Sequence, residues 1–260
     1  MPPNSRTEVP RPTQFGIKDF EELVIPTPDG EKLSAFFIRG PKRGRHSKTT
    51  VVMFHGNAGN IGHRIPIARM MIGTTGCNVF MLEYRGYGLS TGEPDEAGLN
   101  VDAQTALDYL RERAETRDHK FVIYGQSLGG AVSIRLVAKN QHAGDIQGLI
   151  LENTFLSMRK LIPSVIPPAK YLTLLCHQVW PSDTWIPGIT EVPILFLSGL
   201  QDEIVPWVSS HTSCFMTWRT DFAQTNTHAP ALRTVHRTNQ DLARLPGRRP
   251  QLDRARGRVL

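Results

Sequence analysis

The sequence predicts an α/β fold in which a mostly parallel sheet is covered by helices on both faces. Short apolar runs of strand length alternate along the chain with segments of helical periodicity. The runs are apolar on both faces, which is typical of buried parallel strands. Hydrophobic residues make up 40% and charged residues 21% of 260 residues, so wholesale disorder, a collagen helix and a coiled coil are excluded.

The first elements form an arm and a hairpin. Residues 1–17 are polar and rich in proline, which predicts an extended N-terminal arm. Two apolar runs, FEELVIP and EKLSAFFI, then flank a turn at Asp29 and Gly30. Because Asp-Gly is a strong turn signal, this pattern predicts an antiparallel hairpin.

The alternating elements follow in residues 49–199. Apolar runs predict strands at 49–54, 79–84, 121–124, 148–153 and 192–199. Apolar spacing predicts a helix within 61–76 and further helices at 102–115 and 128–140. With the hairpin, these elements define one domain over residues 18–206.

Residues 154–191 interrupt the alternation and predict a small cap within that domain. They contain five prolines and two tryptophans. Such a segment fits over the carboxyl edge of the sheet, where open α/β sheets bind ligands. Its large apolar residues favour a lipophilic acyl chain as ligand: Leu172, Leu174, Leu175, Trp180 and Trp185.

The positive charge lies at the carboxyl end. Residues 1–206 hold 21 basic and 21 acidic residues, whereas residues 207–260 hold nine arginines and three aspartates. A basic face on the folded body is therefore not supported, and no nucleic-acid partner is expected. The composition of residues 207–260 predicts a disordered or mis-translated basic tail, and leaves a partner site there open.

The main chemical motif is Gly125-Gln126-Ser127-Leu128-Gly129. It follows a predicted strand and precedes a predicted helix, which is the setting of a nucleophile elbow. Glycines flank the serine because side chains would collide at such a turn. The serine hydroxyl would then stand at a helix N-terminus, which favours negative charge. The alternative is a glycine-rich helix start without chemistry.

A second motif, HGNAGN at residues 55–60, directly follows the strand 49–54. Acyl transfer needs two N–H donors for the developing oxyanion. One is predicted to be the N–H of Leu128, and the other that of Asn57 or Ala58. His55 precedes the serine and belongs to this loop, so we expect it to hold the loop rather than act as the base.

A third motif, SGLQDEIVP at residues 198–206, follows the last predicted parallel strand. An acid on such a loop can orient and stabilise an imidazole. Asp202 fits this role, whereas Asp183 lies in the cap. A solvated loop aspartate is the alternative interpretation.

The motifs HGNAGN, YRGYG, YGQSLGG, ENTF and SGLQDEIVP, in this order, resemble those of the Bem46-like family of α/β-hydrolase-fold serine hydrolases. The resemblance covers residues 6–206. It implies a Ser–Asp–His triad containing Ser127 and Asp202, and hydrolysis of a lipid or acyl-protein ester or thioester. It implies no metal and no organic cofactor.

The resemblance ends after Pro206. The family carries its catalytic histidine in a Gly-x-His-Asn loop, but no glycine precedes a histidine beyond this point. His236 fits best by spacing, then His228; His211 is too close to Asp202, and none of them need be catalytic. The rival hypothesis is therefore a catalytically impaired protein that acts by binding, and a third is a peptidase.

Two further expectations concern the ends of the chain. We expect residues from about 207 to be an out-of-frame or intron-derived reading rather than the evolved carboxyl end of the fold. The family typically has an N-terminal hydrophobic anchor, which residues 1–17 lack. The sequence as written therefore predicts a soluble intracellular protein, and a membrane-associated one if an anchor precedes Met1. Three widely spaced cysteines fit a reducing compartment.

Overall fold

The computed structural model describes residues 4–159, 177–198, 214–219 and 233–237, the last two segments by their backbone. The predicted hairpin is present. Strands β1 (Phe20–Pro26) and β2 (Lys32–Ile38) pair antiparallel, from Phe20 opposite Ile38 to Pro26 opposite Lys32. Gly30 has a φ of +96° in the connecting turn, a value that glycine adopts readily.

Five strands form the parallel part of the sheet: β3 (Thr49–Phe54), β4 (Asn78–Leu82), β5 (Lys120–Gln126), β6 (Ile146–Glu152) and β7 (Ile194–Ser198). Strand β3 lies between β4 and β5, and β6 and β7 extend the sheet beyond β5 in parallel register. The hairpin joins this part antiparallel through β2 and β4. The predicted fold class is thereby confirmed.

Two further strands, β8 (Cys214–Arg219) and β9 (Arg233–Arg237), extend the sheet antiparallel to an order of β1-β2-β4-β3-β5-β6-β7-β8-β9. The sequence analysis predicted no strand beyond residue 206. Each of these strands is short and mixes polar with apolar residues, so neither gives a clear periodic signal. The rest of 207–260 lies outside the described residues, and the prediction of a disordered or mis-translated tail stays a prediction.

Helices connect the strands. They are α1 (Ile65–Thr75), α2 (Glu96–Glu112), α3 (Leu128–Asn140) and the short α4 (Ser182–Trp185). A 3₁₀ turn, Ile61–Arg64, precedes α1. Helix α2 begins six residues before its predicted start because Asp95 caps it, accepting the Gly98 N–H at 2.6 Å.

The sheet separates two apolar layers. On one face, α2 and α3 pack through residues such as Leu107, Val132 and Leu136. On the other face, α1 packs through Ile65 and Ala68. Helices therefore cover both faces, as the buried strands require.

The N-terminal arm lies against the loop that follows β4. The Arg6 guanidinium donates to the carbonyl oxygens of Gly86, Ser90 and Gly92 at 3.2 to 3.4 Å. The Gly88 N–H donates to the Ser5 carbonyl at 2.7 Å. The arm is thus packed on the domain, and it includes a 3₁₀ turn, Pro12–Phe15, within the predicted extended segment.

Candidate active site

Ser127 occupies the turn between β5 and α3. Its backbone has φ 52° and ψ −114°, outside the regions that side-chain-bearing residues normally adopt. A strained conformation of this kind costs about 1–3 kcal/mol and persists only where its surroundings fix it. A sharp turn of this kind between a strand and a helix is what a nucleophile elbow requires.

Close backbone contacts explain the two flanking glycines. A Cβ atom on Gly125 would lie 2.3 Å from the Gly129 carbonyl oxygen. A Cβ atom on Gly129 would lie 2.1 Å from the carbonyl oxygen of Phe54, at the end of β3. Any side chain at these positions would therefore separate α3 from β3 and β5 and open the turn.

The loop after β3 lies beside Ser127. A Cβ atom on Gly56 would be 3.5 Å from the Ser127 Cβ, so the two segments lie side by side. Asn57 is exposed next to Gly56, and its Oδ1 accepts the Tyr87 hydroxyl at 2.7 Å. Leu128 is the buried first residue of α3. The fold therefore brings Ser127, Leu128 and Asn57 to one place at the carboxyl ends of β3 and β5.

His55 is buried below this loop and is held by neighbouring groups. Its Nδ1 lies 2.7 Å from the Gly56 carbonyl oxygen and donates a hydrogen bond to it. Its Nε2 faces Glu83 Oε1 at 3.1 Å, outside hydrogen-bonding angles. The Tyr84 hydroxyl donates to the His55 carbonyl, and the Ile61 N–H donates to the other Glu83 oxygen. These contacts fit a role in holding the loop.

Two tyrosines beside His55 stay neutral donors. Complete burial raises the pKa of Tyr84 well above its usual value, and the nearby Tyr87 and Glu83 act in the same direction. Burial likewise raises the pKa of Tyr87, helped by the Glu83 carboxylate. The Tyr87 hydroxyl can therefore hold Asn57 throughout the neutral and alkaline range.

A polar group lies on the other side of the elbow. Glu152, at the end of β6, accepts the Gln126 amide at 2.9 Å and the Tyr124 hydroxyl. Burial raises the pKa of Tyr124, and its hydrogen bond to Glu152 adds to this. The motifs YRGYG, YGQSLGG and ENTF contain Tyr84, Tyr87, Tyr124 and Glu152, but the sequence assigns no role to these residues or to Glu83. The available signal in the sequence was a glutamate at the end of an otherwise apolar strand, as at Glu83 and Glu152.

The acid and base of the expected triad have no described side chains. Asp202, His211 and His228 lie outside the described residues. His236 lies in β9, opposite Phe215, which in turn is opposite Ser198. Strand β9 is four places from β5, or about 19 Å along the sheet at the usual strand spacing. The backbone at His236 is therefore several strands away from Ser127, and the assignment of the base stays a prediction.

The described ends of the predicted cap form a stem. The Met158 N–H donates to the Val179 carbonyl, and the Asp183 N–H donates to the Leu156 carbonyl. Glu96 of α2 accepts the Val179 N–H at 2.7 Å. The predicted cap leucines at 172, 174 and 175 lie outside the described residues.

The two predicted cap tryptophans differ. Trp180 is buried in the main core rather than available to a ligand. Trp185 is 38% exposed, and the Arg135 guanidinium lies over its ring at 4.8 Å from the centroid. Leu156, in the stem, is 50% exposed. Leu156 and Trp185 are thus the exposed large hydrophobic residues of the described part of the cap.

This fold, a mostly parallel sheet with a serine turn between β5 and α3, is that of an α/β-hydrolase. A family model described as serine aminopeptidase, S33, matches residues 45–188. The chain is 46% identical over 207 residues to protein bem46 of Schizosaccharomyces pombe, covering 79% of this chain and 68% of that protein. It is 43% identical over 203 residues to an uncharacterized membrane protein of Saccharomyces cerevisiae, covering 78% and 69%. The chain belongs to the Bem46-like family of α/β-hydrolases.

Solved structures show the same fold. An alpha-beta hydrolase from Vibrio vulnificus superposes with a TM-score of 0.65 at 21% identity, over 77% of this chain and 73% of that one. An esterase of Pyrococcus furiosus superposes with a TM-score of 0.62 at 18% identity, over 79% and 78%. Within the described part of the chain, no helix has the length and apolar character to cross a membrane.

Proposed function

We propose that this chain is a serine hydrolase that cleaves a carboxylic ester or thioester of the lipid or acyl-protein type. Ser127 attacks the acyl carbon, and the N–H groups of Leu128 and Asn57 hold the oxyanion. Asp202 orients a histidine base that removes the serine proton. The histidine gives this proton to the alcohol or thiol, which leaves as the acyl C–O or C–S bond breaks. Water then hydrolyses the acyl-enzyme to the free acid and the free serine.

The strained backbone of Ser127 is the observation that carries this proposal. The turn keeps this conformation although a relaxed backbone would have a lower conformational energy, and it leaves no room for side chains at Gly125 and Gly129. A strand-to-helix turn without chemistry has no need of such strain. Ser127 lies beside Gly56. Gly56 belongs to a loop, residues 55–60, that is part of no helix or strand, so the N–H groups of this loop are not used in regular secondary structure. This is the arrangement that acyl transfer requires.

The apolar surface at the stem supports a preference for lipophilic acyl groups. Leu156 and Trp185 are exposed at the base of the cap, which favours a lipophilic acyl chain. We therefore expect kcat/KM to rise with acyl length in a series of p-nitrophenyl esters from acetate to laurate. A strict preference for the acetyl ester would contradict the lipophilic assignment.

A peptidase activity is the second candidate, because the matching family model is described as a serine aminopeptidase. The purified chain should be assayed against p-nitrophenyl esters, an acyl thioester and aminoacyl p-nitroanilides in parallel. Ser127→Ala should abolish turnover, whereas Ser47→Ala, in the loop before β3, should leave it unchanged. Turnover of the anilides above that of the esters would favour the peptidase.

A binding protein without turnover is the third candidate, because no glycine precedes a histidine after Pro206 and the family's Gly-x-His-Asn motif is missing. Loss of any triad member lowers the rate by several powers of ten. If wild-type turnover equals that of Ser127→Ala while a fluorescent fatty acyl amide still binds, the chain acts by binding. If His211→Ala or His228→Ala abolishes turnover and His236→Ala does not, that histidine is the base.

A further inference from the structure

The segment after β6 holds the peptide groups on both sides of Ser127. The Ser127 N–H donates to the Glu152 carbonyl at 2.9 Å. The Ser127 carbonyl accepts the Thr154 hydroxyl at 3.1 Å and the Gly130 N–H at 2.9 Å. Neither φ nor ψ of Ser127 can therefore relax without breaking one of these bonds.

The hydrogen bond from the Thr154 hydroxyl affects the orientation of the Leu128 N–H, the proposed oxyanion donor. The Ser127 carbonyl and the Leu128 N–H belong to one planar trans peptide unit, so they point in opposite directions. Fixing the carbonyl oxygen toward Thr154 fixes the Leu128 N–H away from it. This N–H is among the first four of α3, which have no partner within the helix. A donor bound to the carbonyl also polarises the amide and strengthens its N–H.

The hydroxyl of Thr154 is itself held in place. A Cβ atom on Gly130 would lie 2.2 Å from the Thr154 Oγ1, so this oxygen packs closely on the first turn of α3. Asn153, with a φ of 46°, turns the chain before it, and its N–H donates to the Leu197 carbonyl at 2.9 Å. Thr154 is therefore joined to β7 on one side and to the elbow on the other.

We propose that Thr154 is a positioning residue that aims the Leu128 N–H at the oxyanion. It touches neither substrate nor the reacting atoms, and acts through the Ser127–Leu128 peptide. This inference rests on the proposed acyl-transfer function. Because the oxyanion forms only in the transition state, loss of the hydroxyl should lower kcat and leave KM unchanged.

The test compares two substitutions at the site with one control. Thr154→Val keeps the shape of the side chain and removes the hydroxyl, and Thr154→Ser keeps the hydroxyl. Thr116→Val is the matched control, because the buried Thr116 hydroxyl donates to the Leu110 carbonyl at 2.5 Å. Thr116 lies between α2 and β5, at the opposite edge of the sheet from Ser127.

We expect Thr154→Val to lower kcat for a p-nitrophenyl ester about tenfold, the order of one hydrogen bond to a polarised group. Thr154→Ser should restore kcat to within about threefold, and Thr116→Val should lower stability without lowering kcat. A wild-type kcat in Thr154→Val, failure of Thr154→Ser to restore it, or an equal loss in Thr116→Val would overturn the proposal.

A second measurement does not depend on turnover. In protein labelled with ¹⁵N-leucine, the Leu128 amide resonance should move in Thr154→Val and stay in place in Thr116→Val. If the wild-type chain hydrolyses no substrate, the proposed function fails, and the resonance still decides whether Thr154 orients this peptide. An unmoved Leu128 resonance in Thr154→Val would overturn the positioning role by itself.

Discussion

Replacing Gly129 by alanine should destabilise the protein, although alanine is the better helix former. In α3, the substitution gains about 1 kcal/mol of helix propensity. The new Cβ atom, however, would lie 2.1 Å from the Phe54 carbonyl oxygen and 2.8 Å from that of His55. Both are backbone atoms, so α3 must move, and overpacking of this kind costs about 3 kcal/mol. The net loss is about 2 kcal/mol, or about 4–8 °C in Tm.

The matched control is Gly73→Ala in α1. A Cβ atom there meets nothing within 4 Å, so the substitution should stabilise the protein by about 1 kcal/mol. Urea denaturation gives both changes in unfolding free energy, and the rate of labelling by a fluorophosphonate reports on the elbow. If Gly129→Ala were as stable as the wild type and labelled equally fast, the steric account of the elbow would be refuted.

Three further predictions concern the site and the ion pairs of the domain. Tyr87→Phe removes the hydroxyl bound to Asn57 and should lower kcat about five- to tenfold with little change in Tm; an unchanged kcat would contradict this. Asp102→Ala leaves the buried Arg85 without its buried partner and should lower the unfolding free energy by about 3 kcal/mol in urea denaturation; a loss below 1 kcal/mol would contradict it. The hydrogen bond from Arg39, with a second from another arginine, lowers the pKa of Glu115 to about 2. Its stabilising effect is therefore full above pH 4.5 and lost as the pH falls through about 2, so Glu115→Gln should flatten acid unfolding between pH 5 and 2. Equal slopes for both proteins would show that this pair contributes nothing.

Local signals were sufficient for most of the fold. Helix α3 has the predicted bounds, 128–140, because a glycine turn starts it and an apolar face continues without interruption. The hairpin was also predicted, since Asp-Gly sets its turn within a few residues. Helix α2 was predicted too late because its first turns contain Gly98 and Asn100, which are poor helix formers. The Asp95 cap and the packing of Leu99 override that local preference.

The candidate site likewise has one part that the sequence predicts and another that it does not. The strained serine and its two glycines are neighbours in sequence, so a motif could locate them. Glu83, Tyr87 and Thr154 act on residues 22 to 30 positions away, through hydrogen bonds that depend on which strand ends lie side by side. Strand order is a property of the whole sheet, and a local pattern does not contain it.

The strands at the carboxyl end could not be predicted from local sequence patterns. Strands β8 and β9 continue the sheet antiparallel, after four parallel pairings between β4 and β7. Their sequences carry no alternation that separates a buried face from an exposed one. The acid loop with Asp202 was predicted from a motif alone, and its role is a proposal.

The central claim is that Ser127 is an activated nucleophile. The most direct measurement is the site of covalent labelling: the full chain is treated with a fluorophosphonate and digested, and the adduct is located by peptide mass spectrometry. The account predicts a single adduct on Ser127 that forms faster than on unfolded protein and is absent from Ser127→Ala. An adduct on another serine, or one that forms no faster in the folded chain than in urea, would contradict it.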